Sequence, residues 1–90
     1  MTKKEVTDLL EKNKNSLIQE LKESKELVFL IKESTTRTLT EEEKAKVKEQ
    51  LLDICKSIPA LTVFMLPGGA LLLPLLIKMI PNLLPSAFRN

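Results

Sequence analysis

The chain has 90 residues, enough for one small domain with a thin hydrophobic core. It contains no His, Trp or Tyr and a single Cys, so the usual general base, the commonest metal ligand and any internal disulfide are absent. Lys and Arg number 14 and Asp and Glu number 12, so the net charge is small. We therefore expect no enzyme activity, no metal site and no cofactor.

The charged residues are distributed unevenly along the chain. Residues 1–56 carry twelve basic and twelve acidic side chains, whereas residues 57–90 carry only Lys78 and Arg89. All five Pro and both Gly lie between Pro59 and Pro85. We predict an all-α fold in which two amphipathic helices precede an apolar helical segment broken by Pro and Gly.

Residues 1–33 predict an amphipathic helix. Thr2 and Glu5 have the spacing of a capping box. The apolar residues recur at helical spacing: Val6, Leu9, Leu10, Leu17, Ile18, Leu21, Val28 and Ile31. Lys14 and Ser24 fall where a strict heptad requires apolar side chains, so a weak coiled coil and one wall of a small bundle both remain open.

A hydroxyl-rich linker at residues 34–39 separates this helix from a second one at 40–57. Ser and Thr hydroxyls compete for backbone hydrogen bonds and favour turns. Thr40 and Glu43 form a second capping-box pattern, with glutamates in the first turn that suit the helix dipole. Pro59 disfavours helical geometry in the residue before it, so this helix should end near Ser57. Cys55, which has apolar neighbours, is expected to be a small buried hydrophobe.

Residues 58–78 contain one charged residue, Lys78, at the end of an apolar stretch. The stretch is long enough to cross a bilayer. We predict a kinked transmembrane segment; a soluble helical hairpin and a re-entrant or interfacial segment are the alternatives. The residues expected to hinge or pack this segment are Pro59, Pro67, Gly68, Gly69 and Pro74. Small residues here would permit close helix approach and self-association, or simply form a turn.

The Pro-rich junction at residues 79–90 carries a more specific pattern, and its key positions are Pro81, Asn82, Leu84, Pro85, Ser86 and Phe88. Together with the preceding prolines, this pattern resembles the membrane segment and junction of the LETM family, over about residues 50–90. The chain departs from the family at Ile80, where the family has Phe, and at Ala70, where it has an acidic residue. The resemblance implies a protein of the mitochondrial or bacterial inner membrane linked to cation/proton exchange and ribosome binding.

Three functions remain open on these grounds. The first is a LETM-like membrane anchor, assembly component or ribosome-associated component, with membrane lipid, a second copy or a protein such as the ribosome's as partner. The second is an ion-exchange component that works only as an oligomer, since the apolar segment lacks a carboxylate to carry a cation. The third is a cytoplasmic, soluble all-α interaction module without a transport role. Direct nucleic-acid contact is not expected, because Lys alternates with Glu along the helices.

Overall fold

Short helices make up almost all of the fold in the computed structural model, which describes residues 1–88. The α-helices are α1 (Lys3–Lys12), α2 (Lys14–Glu23), α3 (Lys25–Ser34), α4 (Glu41–Ser57), α5 (Pro67–Ala70) and α6 (Leu73–Leu83). Two 3-10 helices span Pro59–Met65 and Pro85–Phe88. No strand occurs among the described residues, so the predicted all-α class is confirmed. The last two positions of the predicted 79–90 junction lie outside the described residues.

The single helix predicted over residues 1–33 is instead three helices of ten residues each. The breaks fall at Asn13 and Ser24, whose backbone angles leave the helical region. The Asn13 side chain donates a hydrogen bond to the Leu9 carbonyl at 2.9 Å, which helps to end α1. An unbroken helix of this length would extend about 45 Å, but the molecule measures 27 Å along its longest axis. The breaks allow each short helix to turn its apolar face towards one common core.

Local hydrogen bonds define the connection between α3 and α4. The hydroxyls of Ser34, Thr35 and Thr36 donate to carbonyls in the last turn of α3. At the start of α4, Thr40 and Glu43 exchange the two hydrogen bonds of a capping box. Both capping boxes predicted from the sequence are therefore confirmed, since Thr2 and Glu5 form the other.

Arg37 links the two ends of this connection. Its guanidinium donates to both carboxylate oxygens of Glu43, at 2.9 and 2.8 Å, and contacts Glu33 at 3.4 Å. A bidentate pair of this kind fixes orientation as well as distance. The hydrogen bond from Arg37, followed by the one from the Thr40 backbone, lowers the pKa of Glu43 to about 2.

The depressed pKa of Glu43 predicts an acid-sensitive contribution to stability. Because the folded-state pKa lies below the ordinary value of 4.5, this contribution is present above that pH and is lost as the pH falls towards 2. We expect Glu43→Gln to lower the urea midpoint at pH 7 and to flatten its decline between pH 5 and pH 2. Glu42→Gln is the matched control, because Glu42 forms no ion pair within residues 1–88. Equal acid sensitivity in the two variants would contradict this role of Glu43.

The apolar C-terminal part of the chain supplies much of the core. Phe64 and Leu76 are almost completely buried, as is Leu84. The first 3-10 helix packs on α4, while α6 packs on α1 and α3. The core from the N-terminal part comprises Val6, Leu10, Leu17, Leu21, Leu27, Leu30, Ile31, Leu39, Val47, Leu51, Ile54 and Cys55. The apolar faces of the charged helices are thus covered largely by residues 58–88.

The transmembrane helix predicted within residues 58–78 is not found in this structure. The stretch is divided between a 3-10 helix, the single turn of α5 and the beginning of α6. Among residues 1–88, no helix is both long enough and apolar enough to cross a bilayer. The physical reason lies in the prolines, which begin new elements at Pro59 and Pro67 and follow the first residue of α6 at Pro74.

Candidate functional site: an apolar groove with a basic rim

A solvent-open groove lies between the α3–α4 connection, α4 and α6. Its volume is about 620 Å³. The apolar part of its wall consists of Leu39, Ala70, Leu71, Leu73, Pro74 and Ile77. The polar part consists of Ser34, Arg37, Thr38, Lys44, Lys48 and Lys78. We call this surface the basic groove, because four of its six polar residues are cationic.

The charge of the basic groove is only partly neutralised. Arg37 is paired with Glu43, and Lys44 lies 3.4 Å from the carboxylate of the exposed Glu41. Lys48 and Lys78 have no carboxylate within 4.0 Å in the described part of the chain. No Asp or Glu lines the groove itself. Two lysines without an ion-pair partner therefore line the same groove as the apolar wall residues.

One wall residue of the basic groove is an unusually exposed apolar side chain. Leu71 is 81% exposed. Two more exposed apolar side chains precede it in the chain: Leu66 is 60% exposed, and Met65, the last residue of the first 3-10 helix, is 42% exposed. The stretch from Met65 to Leu71 contains no charge. Apolar side chains grouped beside cations form a typical surface for an amphipathic, anionic partner.

The residues predicted to hinge the apolar segment have different positions in the fold. Pro74 lines the basic groove. Gly68 is exposed and has open space beside it, whereas Gly69 lies against the backbone of Val63 and Phe64. The close approach that small residues permit is therefore made within the chain, between α5 and the first 3-10 helix.

Two of the junction residues, Leu84 and Phe88, contribute to the core. Leu84 is completely buried at the end of α6, and Phe88 packs against the core from the last 3-10 helix. Pro81 lies inside α6. Its ring holds φ near the helical value, so only one backbone donor is lost close to the helix end. Asn82 is exposed, and Pro85 begins the last 3-10 helix.

Cys55 and the acidic residues offer no separate chemical site. Cys55 is buried, and this burial raises the pKa of its thiol to about 11. A thiol held protonated in this way is a poor nucleophile at neutral pH. Within residues 1–88, no three potential metal ligands are grouped together.

The lysines of the basic groove, Lys44, Lys48 and Lys78, were not predicted from the sequence to share a site. Lys44 and Lys48 are four residues apart on α4 and must share a helix face, so their spacing was an available signal. Their position on the same groove as Lys78 depends on how α6 packs. No local sequence pattern predicts this packing. The exposure of Leu71 could not be predicted either, because it lies in the middle of an apolar run.

The fold and the groove together define a small all-α domain with an amphipathic, cationic groove. The family model described as "LETM1-like, RBD" matches residues 39–90, more than half of the chain, and the chain belongs to this family. The resemblance inferred from the junction is thereby confirmed. The matched range contains α4, α6 and most of the residues that line the basic groove.

Two curated proteins are similar to this chain. One is the mitochondrial LETM1 domain-containing protein YLH47 of Saccharomyces cerevisiae, which is 35% identical over 69% of the chain. The other is the mitochondrial LETM1 domain-containing protein mdm28 of Schizosaccharomyces pombe, which is 37% identical over 79% of the chain. The matches span only 14% and 15% of those proteins. No solved structure gives a significant match.

Proposed function

We propose that this chain is a membrane-docking and assembly module of LETM type. In this proposal, the basic groove binds an anionic membrane surface and the charged helices α1–α3 face the ribosome. The single observation that carries the proposal is the exposed Leu71 beside the unpaired Lys48 and Lys78. The LETM1 domain-containing relatives are named as mitochondrial, which favours an inner membrane as the surface.

The physical basis of membrane docking is the combination of two weak terms. Apolar side chains that enter the interface gain free energy in proportion to the area they bury. Each lysine close to an anionic surface adds about 1 kcal/mol. Leu66 and Leu71 would supply the first term, and Lys48 with Lys78 the second. A role in cation/proton homeostasis would be indirect, through assembly, since the stretch of residues 57–77 carries no ionisable side chain.

Vesicle sedimentation tests this proposal. We expect the chain to bind vesicles of phosphatidylcholine with phosphatidylglycerol and to bind pure phosphatidylcholine weakly. The double variant Lys48→Gln/Lys78→Gln should lower binding to the anionic vesicles about 25-fold, at about fivefold for each lysine. Leu71→Asn should also weaken binding, because a polar amide replaces the exposed leucine.

Lys56→Gln provides the matched control, since it removes the same charge outside the groove. Its binding should equal that of the wild-type chain. Equal losses in Lys56→Gln and Lys48→Gln would show that net charge alone governs binding, and the basic groove would no longer be the docking surface. Co-sedimentation with ribosomes tests the second half of the proposal, and failure to pellet with them would remove it.

A protein-interaction module without membrane binding is the second candidate. It is favoured by the extent to which residues 58–88 complete the core, because Phe64, Leu76 and Leu84 are buried by protein alone. In that case the basic groove would accept an acidic amphipathic helix. Wild-type binding to ribosomes without any binding to anionic vesicles would favour this candidate.

A further inference from the structure

A second concave surface lies where α2, α3 and the last 3-10 helix meet. Its volume is about 350 Å³. It is lined by Lys22, Lys25, Val28, Phe29, Lys32, Ala87 and Phe88. We call it the Lys–Phe groove. Three of its seven residues are lysines, and none is acidic.

The positive charge of the Lys–Phe groove survives because the neighbouring carboxylates point elsewhere. Glu26 accepts a hydrogen bond from Gln50 at 2.6 Å and lies 3.8 Å from Lys46, so it faces α4. Glu33 contacts Arg37 in the α3–α4 connection. Because Lys alternates with Glu along the sequence, no basic stripe is predicted. In the fold, however, the glutamates of α3 contact α4 and Arg37, while its lysines line the Lys–Phe groove.

Lys25 and Lys32 have no acidic residue three or four positions away on their helix. Lys22 has none on α2 either, since the acidic residue four positions later, Glu26, belongs to α3 and is engaged by α4. Within residues 1–88, none of the three lysines lies within 4.0 Å of a carboxylate. The lysine ammonium groups of the Lys–Phe groove therefore remain available to an anionic ligand.

Aromatic side chains are concentrated at the same place. The chain has three Phe and no other aromatic residue, and Phe64 is buried in the core. The other two, Phe29 and Phe88, both line the Lys–Phe groove, and Phe29 is 56% exposed. Phe29 lies four residues after Lys25 and three before Lys32, so the ring stands between two cations on one helix face.

We propose that the Lys–Phe groove binds single-stranded RNA. A base would stack on the ring of Phe29, while Lys22, Lys25 and Lys32 contact phosphates on either side of it. A ring between cations matches the alternation of bases and phosphates. Membrane docking scales with the apolar area that enters the interface, and Phe29 is the one exposed apolar side chain among the residues that line this groove. The inference rests on the proposed ribosome association for the source of the RNA, but the site itself rests on the geometry of α2 and α3.

Fluorescence anisotropy with a labelled twelve-nucleotide oligouridylate tests the site. Binding should weaken with salt, and Lys25→Gln/Lys32→Gln should reduce the slope of log K against log salt by about 1.4, at 0.7 for each phosphate contact. Phe29→Leu keeps the apolar bulk but removes the ring, and it should weaken binding on the order of tenfold. Lys56→Gln is the control for charge, and an unchanged urea midpoint is the control for folding.

Three results would overturn the inference: no binding of the oligonucleotide, an unchanged affinity in Phe29→Leu, or equally tight binding of polyglutamate at the same lysines. Ribosome co-sedimentation of the same variants separates the two proposals. If the oligonucleotide binds as described but ribosomes do not pellet the chain, the RNA site stands and ribosome association fails. If ribosomes pellet the chain but the oligonucleotide does not bind, the ribosome proposal stands and the RNA site fails.

Discussion

Replacing Phe64 by alanine is expected to lower the free energy of unfolding by about 3–5 kcal/mol, the range for a fully buried aromatic side chain. Phe64 has no exposed surface and belongs to the 3-10 helix that packs on α4. A domain of this size has a total stability on the order of 5–13 kcal/mol, so this loss is a large fraction of the whole. Urea denaturation followed by far-UV circular dichroism measures the change.

Phe29→Ala is the matched control for Phe64→Ala, since it removes the same side chain from a site that is 56% exposed. Its unfolding free energy should change far less, because only partly buried apolar area is lost. Comparable destabilisation by the two substitutions would mean that Phe64 does not occupy the core position described above.

Gly69→Ala is expected to be the second most damaging substitution. A Cβ at this position would overlap the carbonyl oxygen of Val63 and would lie 2.8 Å from its carbonyl carbon. The atoms that would have to move belong to the backbone of the first 3-10 helix, so the strain cannot be relieved by a side-chain rotation. Overpacking of this kind costs about 1–3 kcal/mol and sometimes more. Thermal denaturation should show a fall in Tm of about 4–8 °C for each kcal/mol.

The neighbouring glycine gives an internal control. A Cβ at Gly68 would have no atom within 4 Å, and alanine is the better helix former by about 1 kcal/mol. Gly68→Ala should therefore leave stability unchanged or raise it slightly. If both alanine variants are as stable as wild type, α5 does not pack against Val63 as the structure describes.

The sequence predicted those features that depend on local hydrogen bonds. Thr40 with Glu43 begins α4 because a hydroxyl and a carboxylate three residues apart satisfy each other's backbone groups. The end of α4 at Ser57 follows in the same way from Pro59. The junction pattern from Pro81 to Phe88 indicated the family, although the structure places much of it in the core.

Features that depend on tertiary packing were not predictable from the same patterns. The breaks at Asn13 and Ser24 interrupt a run with good helical periodicity, and they are favoured only because three short helices cover the core better than one long one. Length and lack of charge predicted a membrane segment at residues 58–78, yet the same apolar residues can satisfy a protein core. The basic groove requires α4 and α6 to be neighbours, so its rim could not be assembled from sequence spacing alone.

Amide hydrogen exchange on the chain in detergent-free buffer tests directly whether residues 58–88 complete a folded helical core. We expect a monodisperse protein in which the amides of α6 exchange as slowly as those of α4, because both helices open only when the whole core unfolds. Rapid exchange throughout α6 beside a protected α4, or a chain that disperses only in detergent, would contradict the claim.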